Sequence, residues 1–133
     1  MKVVVDASAL LAVVLNEPER DSVVEAATGC ELVAPQVLPF EIGNALTSLF
    51  KRRLLSKSEV IAAWGVFARF PIGLSAIDIA SALALATRRV IYAYDAYVIE
   101  CALEQKAELL TLDDRMKASA ASEGVRLRLG ALS

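Results

Sequence analysis

Short runs of aliphatic and β-branched residues alternate with longer helical patterns along the whole sequence. Strands this short and this apolar are typical of a parallel sheet that is covered by helices on both faces. The sequence therefore predicts an α/β fold: a three-layer α/β/α arrangement with a central parallel sheet of four to five short strands, in a single domain over residues 1–133. We assign the predicted strands to residues 3–5, 31–34, 72–75, 108–112 and 125–129.

Proline, glycine and capping residues mark the helices between these strands. Pro35 is expected to open a long helix, and the sequence SKSE at residues 56–59 forms a capping box for the next one. Asp78 should begin a further helix, and Gly29 and Gly124 stand where two helices should end. The predicted helices cover residues 8–15, 19–27, 36–53, 57 to about 70, 78–88, 94–106 and 114–123.

The chain contains no histidine, which excludes several kinds of catalytic and metal site. There can be no Ser-His-Asp triad, no Cys-His dyad, no histidine acid/base pair and no zinc bound by histidine. The chain is 56% hydrophobic, which is enough for a substantial core. If the protein is an enzyme, carboxylates are the natural candidates to carry its chemistry.

The cysteines and the apolar N-terminal stretch indicate a cytoplasmic protein. Cys30 and Cys101 lie far apart in apolar surroundings, which favours two reduced, buried thiols over a disulfide. Asp6 interrupts the first apolar run, and the stretch over residues 7–15 is far too short to span a membrane. We therefore expect a soluble, cytoplasmic protein with no membrane partner.

Acidic residues follow two of the predicted strands. Asp6 comes directly after the first strand, and Asp113 and Asp114 follow the strand ELLTL. If both strands are central and parallel, their carboxyl ends meet at the same edge of the sheet, where such folds place their sites. Acids more than a hundred residues apart would then face one cleft.

Two further acids, carried by helices, fit the same site. Glu41 lies one turn into the long helix, and Asn44 follows it at i+3 on the same polar stripe. Asp95 heads a helix and shares a stripe with the apolar residues Val98 and Ile99. The spacing of Asp95 directs its carboxylate towards the protein, whereas Glu41 lies on a narrow polar stripe beside the apolar one.

Each of these acids also has a simpler interpretation. Asp6 could be a helix N-cap, Asp95 a charge favoured by the helix dipole, and Glu41 an ordinary, partly exposed helix residue. Together, however, converging carboxylates repel one another and lose hydration. A divalent cation with oxygen ligands, Mg²⁺ or Mn²⁺, is the simplest remedy. Ser8 and Thr111 could orient the ligands, although capping and strand polarity explain these hydroxyls equally well.

Three stretches occur in order over essentially the whole chain: VVVDASALLA, PFEIGNAL and YDAYVIECALEQKAELLTLDDRM. Together they make the sequence similar to the PIN-domain family, and within it to the VapC-type toxin ribonucleases. The resemblance implies a PIN-like fold in which four acids are both catalytic and metal-binding: Asp6, Glu41, Asp95 and Asp113. It gives supporting positions to Ser8 and Thr111, and we add Asn44 and Asp114.

The same resemblance implies a function and partners. The expected activity is that of a Mg²⁺- or Mn²⁺-dependent endoribonuclease, the toxin of a type II, VapBC-like toxin–antitoxin system. Its substrate would be RNA, and it would usually form a homodimer. A cognate VapB-type antitoxin would block the site with its C-terminal segment.

Basic residues near the predicted site are candidates for contact with RNA phosphates. The formal net charge of −2 argues against binding through overall positive charge, but it allows local basic patches. Charges at helix ends are also commonly just solvated. We name Arg52, Arg53, Arg89 and Arg115 as candidates.

Two other functions compete with the ribonuclease. The first is a non-catalytic binding module of the same fold, whose acidic pocket recruits a protein partner. The second is a phospho-acceptor receiver domain, which needs an acceptor aspartate after a central strand in mid-chain and a later lysine at a strand end. Residues 50–80 offer only Asp78, and no late strand ends in lysine.

Overall fold

A computed structural model describes residues 1–128. Its four strands are β1 (Lys2–Val5), β2 (Glu31–Pro35), β3 (Ile72–Ser75) and β4 (Glu108–Leu110). They form one parallel sheet in the order β3-β2-β1-β4. The helices are α1 (Ala7–Val14), α2 (Arg20–Ala27), α3 (Leu38–Lys51), α4 (Lys57–Phe67), α5 (Ile79–Arg89), α6 (Ala93–Gln105) and α7 (Asp114–Ser122).

Helices cover both faces of the sheet, which confirms the predicted three-layer α/β/α architecture. Successive side chains of a strand point to opposite faces, and β1 shows this directly. Val3 and Val5 pack with buried residues of α1 to α4, whereas Val4 packs with buried residues of α5, α6 and α7. All three valines are essentially inaccessible to solvent, so β1 lies at the centre of the molecule.

Local sequence signals set most of the helix boundaries. Ser56 caps α4 in the predicted capping box: its hydroxyl accepts from the backbone N–H of Glu59, and the carboxylate of Glu59 accepts from the backbone N–H of Ser56. Asp78 caps α5 by accepting from the backbone N–H of Ser81 at 3.2 Å. Gly29 and Gly124 have φ angles of +78° and +84°, which suit glycine at the ends of α2 and α7.

Several predicted boundaries are wrong. Pro35 ends β2 instead of opening a helix, and α3 begins at Leu38 with Pro39 in its first turn. This follows because the residue before a proline favours extended backbone, which suits a strand end, and a first turn needs no N–H from proline. The helix α4 ends at Phe67, three residues before the predicted position, and β4 ends at Leu110.

The last predicted strand is reduced to a single bridge in the described part of the chain. Leu127 bridges Leu109 in parallel, held by hydrogen bonds of 2.9 Å from Leu109 to Arg126 and 2.8 Å from Arg128 to Leu109. The strand β4 has only three residues and so offers little length for pairing. Residue 129, which we assigned to this strand, lies outside the described residues.

Candidate metal centre

The carboxylate of Asp6 lies at the carboxyl end of β1 and is held by neutral hydrogen-bond donors. Its Oδ1 accepts from the hydroxyl of Ser8 at 2.7 Å and from the backbone N–H of Ala9 at 3.1 Å. Its Oδ2 accepts from the hydroxyl of Thr111. Asp6 is only 4% exposed, so it is both the N-cap of α1 and a buried carboxylate.

Ser8 and Thr111 join the ends of β1 and β4. Their hydroxyl oxygens lie 3.3 Å apart, and each also accepts a backbone hydrogen bond from the loop after β4. The N–H of Leu112 donates to Ser8 at 3.0 Å, and the N–H of Asp113 donates to Thr111 at 3.1 Å. The hydroxyls therefore fix the orientation of Asp6 relative to the segment that carries Asp113.

Glu41 projects from the first turn of α3 towards the same carboxylates. Its Oε1 is buried and has no hydrogen-bond partner within residues 1–128. Burial, followed by the nearby charges of Asp6 and Asp95, raises the pKa of Glu41 from 4.5 to about 7. A buried oxygen without a partner is unusual, because leaving it unsatisfied costs free energy.

Asp95 and Asp113 complete the acidic group from α6 and from the start of α7. Burial raises the pKa of Asp95, Asp113 and Asp6 add to the rise, and Arg115 opposes it. Asp113 is exposed and caps α7, accepting from the backbone N–H groups of Arg115 at 2.9 Å and Met116 at 3.3 Å. Burial also raises the pKa of Asp6, with a smaller contribution from Asp113.

The four acids therefore lie close enough to perturb one another and they share one edge of the sheet. Within residues 1–128, however, no three acidic or cysteine side chains are placed closely enough to hold a metal ion directly. The donor set still fits Mg²⁺ or Mn²⁺, because these ions prefer oxygen ligands and commonly retain several waters. Among the described residues, Oε1 of Glu41 is buried without a hydrogen-bond partner, so it is the atom that a cation would most stabilise.

The other predicted supporting residues lie further out. Asn44 is exposed on α3, one turn after Glu41. The side chain of Asp114 is 97% exposed and lies 3.8 Å from the ammonium of Lys117. The structure thus turns Asp114 away from the other acids.

The four candidate arginines have different environments. Arg52 ends α3 and lines a groove against α1, and Arg53 follows it with a φ of +60°. Arg89 binds Glu123 and the backbone carbonyl of Ser122. Arg115 alone of the four lines a cleft together with Asp95.

That cleft contains residues which the sequence did not single out. Val90 and Tyr92, in the turn between α5 and α6, line it beside Asp95 and Arg115. Their exposed fractions are 89% and 79%. A periodicity argument assigns apolar residues to the core, so it offers no signal for two that point into solvent.

Within residues 1–128, no helix combines the length and the apolar character that crossing a bilayer requires.

The fold and the site define a parallel α/β domain with an acidic centre at the carboxyl ends of β1 and β4. The chain belongs to the PIN-domain family, since the family model described as PIN domain matches residues 3–121. This confirms the resemblance in the sequence. No curated protein sequence gives a significant match.

Several solved structures share the fold. PAE2754 from Pyrobaculum aerophilum is 22% identical, with a TM-score of 0.67 over 90% of this chain and 84% of that chain. A chain of VapBC2 from Rickettsia felis, bound to a DNA fragment from their promoter, is 13% identical, with a TM-score of 0.66 over 96% and 97%. VapC20 of Mycobacterium tuberculosis, a sarcin-ricin loop cleaving toxin, is 12% identical, with a TM-score of 0.64 over 88% and 94%.

Proposed function

We propose that this chain is a divalent-metal-dependent endoribonuclease and the toxin of a VapBC-like toxin–antitoxin system. One observation carries the chemical part of the proposal: the buried Oε1 of Glu41, which has no hydrogen-bond partner within residues 1–128, lies within electrostatic range of Asp6 and Asp95. Such an arrangement is tolerable when a cation replaces the missing partner. Membership of the PIN-domain family and the fold shared with VapC20 support the class of activity.

Four residues would hold Mg²⁺ or Mn²⁺: Asp6, Glu41, Asp95 and Asp113. When bound, such an ion supplies a water of lowered pKa and stabilises negative charge on a phosphate. The chain's own contribution is positioning. Ser8 and Thr111 fix the carboxylate of Asp6, and the backbone of α7 fixes that of Asp113.

The same proposal includes partners. We infer an RNA substrate, a homodimer and a VapB-type antitoxin. The likeness to a chain of VapBC2 supports the antitoxin, and exposed apolar side chains on α3 and α4, such as Phe50, Ile61 and Trp64, offer surface for association. The protein would act as a single domain in the cytoplasm, where its substrate lies.

The first test measures metal binding and RNA cleavage together. Mn²⁺ is titrated into the wild-type protein and into Asp6→Asn, and cleavage of single-stranded RNA is followed with Mn²⁺ and with EDTA. Loss of transition-state stabilisation worth several kcal/mol should slow Asp6→Asn by about a thousandfold. The matched control is Asp21→Asn, because Asp21 is an exposed acid on α2 that lies near Arg20.

Equal Mn²⁺ affinity in the wild type and in Asp6→Asn would contradict the proposed metal centre. A second candidate function, the non-catalytic module that recruits a protein, is favoured by one observation. As placed, no three acids within residues 1–128 could hold an ion directly. RNA that stays intact across varied substrates with Mg²⁺ and with Mn²⁺ would favour this second function.

A further inference from the structure

The cleft beside the acidic group is the part of the surface whose residues the proposed metal centre leaves unexplained. It has a volume of about 630 Å³ and lies between the turn after α5 and the start of α7. Asp95 belongs both to its wall and to the acidic group, so the cleft and the candidate metal centre are continuous. Any chain bound at the acids can extend directly into it.

Two apolar side chains form an open shelf along this cleft. We call Val90 and Tyr92 the Val90–Tyr92 shelf. Val90 caps α5 with a φ of +56°, a conformation that is rare for a β-branched residue. The turn leaves Val90 89% and Tyr92 79% exposed. Neither residue belongs to the hydrophobic core of the described chain, so core packing does not account for their apolar character.

The ring of Tyr92 is free to receive another ring. Tyr94, two residues later, packs edge-on against Tyr97 with ring centres 6.0 Å apart. No aromatic ring in the described part of the chain pairs with Tyr92. Tyr92 therefore differs from its neighbour in presenting an unoccupied face.

The positively charged residue Arg115 lines the same cleft as the Val90–Tyr92 shelf. Within residues 1–128, the side chain of Arg115 makes no ion pair or hydrogen bond, whereas Arg88 and Arg89 both bind Glu123. Lys117 lies near Asp114 instead. Arg115 is thus available for an anion at the mouth of the acidic group.

We propose that this cleft binds the nucleotide next to the scissile phosphate. Its base stacks on Tyr92 and contacts Val90, while its phosphate meets Arg115. This rests on the proposed ribonuclease function and names its substrate class, RNA whose bases are unpaired. Stacking needs a base removed from a duplex, and it tolerates sequence because every base has a π face.

The test compares three tyrosine variants of the full chain. Tyr92→Ala should raise KM for a single-stranded RNA by about tenfold, because stacking on an aromatic side chain contributes about that much per base. Tyr92→Phe should behave as wild type, because stacking requires the ring and not the hydroxyl. Tyr94→Ala is the matched control, since Tyr94 is exposed but lies outside the cleft. Melting curves establish that each variant is folded.

A binding measurement keeps the inference separate from catalysis. Single-stranded oligonucleotides that contain 2-aminopurine are titrated in Ca²⁺, which also takes oxygen ligands. Wild type and Tyr92→Phe should quench the fluorescence of the base analogue, and Tyr92→Ala should not. The fluorescence measurement tests base binding by the Val90–Tyr92 shelf even if the protein cleaves no RNA. A failure to cleave RNA would instead count against the proposed ribonuclease function.

Two outcomes would overturn the inference. One is RNA cleavage and 2-aminopurine quenching that are the same in Tyr92→Ala and wild type. The other is loss of a dimer in Tyr92→Ala with unchanged oligonucleotide binding, measured by light scattering. That second result would assign the shelf to contact between two copies of the chain. In either case, RNA cleavage that persists in Tyr92→Ala would leave the ribonuclease function standing and remove only the shelf.

Discussion

Two glutamates in this molecule occupy opposite electrostatic environments. Glu123, after α7, accepts from Arg89 and Arg88, and these hydrogen bonds lower its pKa. Glu41, on α3, has a buried oxygen without a partner in the described part of the chain, and burial followed by the charges of Asp6 and Asp95 raises its pKa to about 7. The fold supplies cations to one glutamate and like charges to the other.

The charged form of Glu123 is stabilised by ion pairs in the folded protein. The charged forms of Glu41 and of the acids around it are instead disfavoured by folding. Perturbed acids in a cleft are typical of functional sites. Asp6 in the acidic group accepts hydrogen bonds from neutral hydroxyls, whereas Glu123 accepts them from arginines. Ser8 and Thr111 therefore provide Asp6 with hydrogen-bond donors and leave its negative charge uncompensated. Its negative charge therefore remains available to a cation.

The largest predicted effect comes from removing one of the two hydroxyls that bind Asp6. Thr111→Val keeps the side-chain shape but removes the hydrogen bond to Asp6, and Thr111 is only 4% exposed. Loss of a group that orients a metal ligand should lower Mn²⁺ affinity or RNA cleavage by about 10- to 100-fold. The control is Thr47→Val, an exposed threonine whose hydroxyl donates within α3. Equal losses in both variants would show that the hydroxyl of Thr111 has no special role.

The prediction of intermediate size concerns how the stability of the metal-free protein depends on pH. Because the pKa of Glu41 rises from 4.5 to about 7 on folding, the folded state holds a proton in this window that the unfolded state has lost. Stability must therefore fall as pH rises from about 5 to 8. Allowing for partial solvent screening, we expect a loss of about 1 kcal/mol, or a few degrees in Tm, in EDTA.

The measurement is thermal unfolding of the metal-free protein at both pH values. The raised pKa values of Asp6 and Asp95 act in the same direction, so they account for any pH dependence of stability that remains in Glu41→Gln. The Tm of Glu41→Gln should nevertheless change less with pH than that of the wild type. Addition of Mn²⁺ at pH 8 should restore stability only where Glu41 is present. A wild-type protein that becomes more stable between pH 5 and 8 would contradict the assignment of Glu41 as a destabilising acid.

The smallest effect concerns the other glutamate. Glu123→Gln removes a charge that pairs with two partly exposed arginines, so the cost should be about 1 kcal/mol or less. High salt should reduce the difference in Tm between this variant and wild type. RNA cleavage should not change. A large loss of cleavage in Glu123→Gln would break the contrast between the two glutamates.

Much of the fold could be predicted because its signals are local. The run of valines in β1, the capping box at Ser56 and the glycines after α2 and α7 each act within a few residues. The structure of residues 125–128 was harder to predict. Whether residues 125–128 pair as a strand depends on how much of β4 is free to receive them, and that length is a property of the assembled sheet.

The site was predictable in part for the same reason. Asp6 and Asp113 follow strands that the sequence places in one sheet, and the structure puts them at one edge. The partners of Arg89 and the outward direction of Asp114 depend on contacts between elements, which no local pattern encodes. The roles of the four acids and of the arginines stay predictions until the experiments above are done.

The order of the strands has a consequence for how this protein comes into being. Of the four strands, β1 is synthesised before the others, whereas its neighbour β4 and the acid Asp113 follow all of them. A nascent chain carries Asp6 for more than a hundred residues of synthesis before the hydroxyl of Thr111 exists to hold it. Translation products that stop before Thr111 therefore lack the hydroxyl that holds Asp6, and the acidic group is not assembled in them.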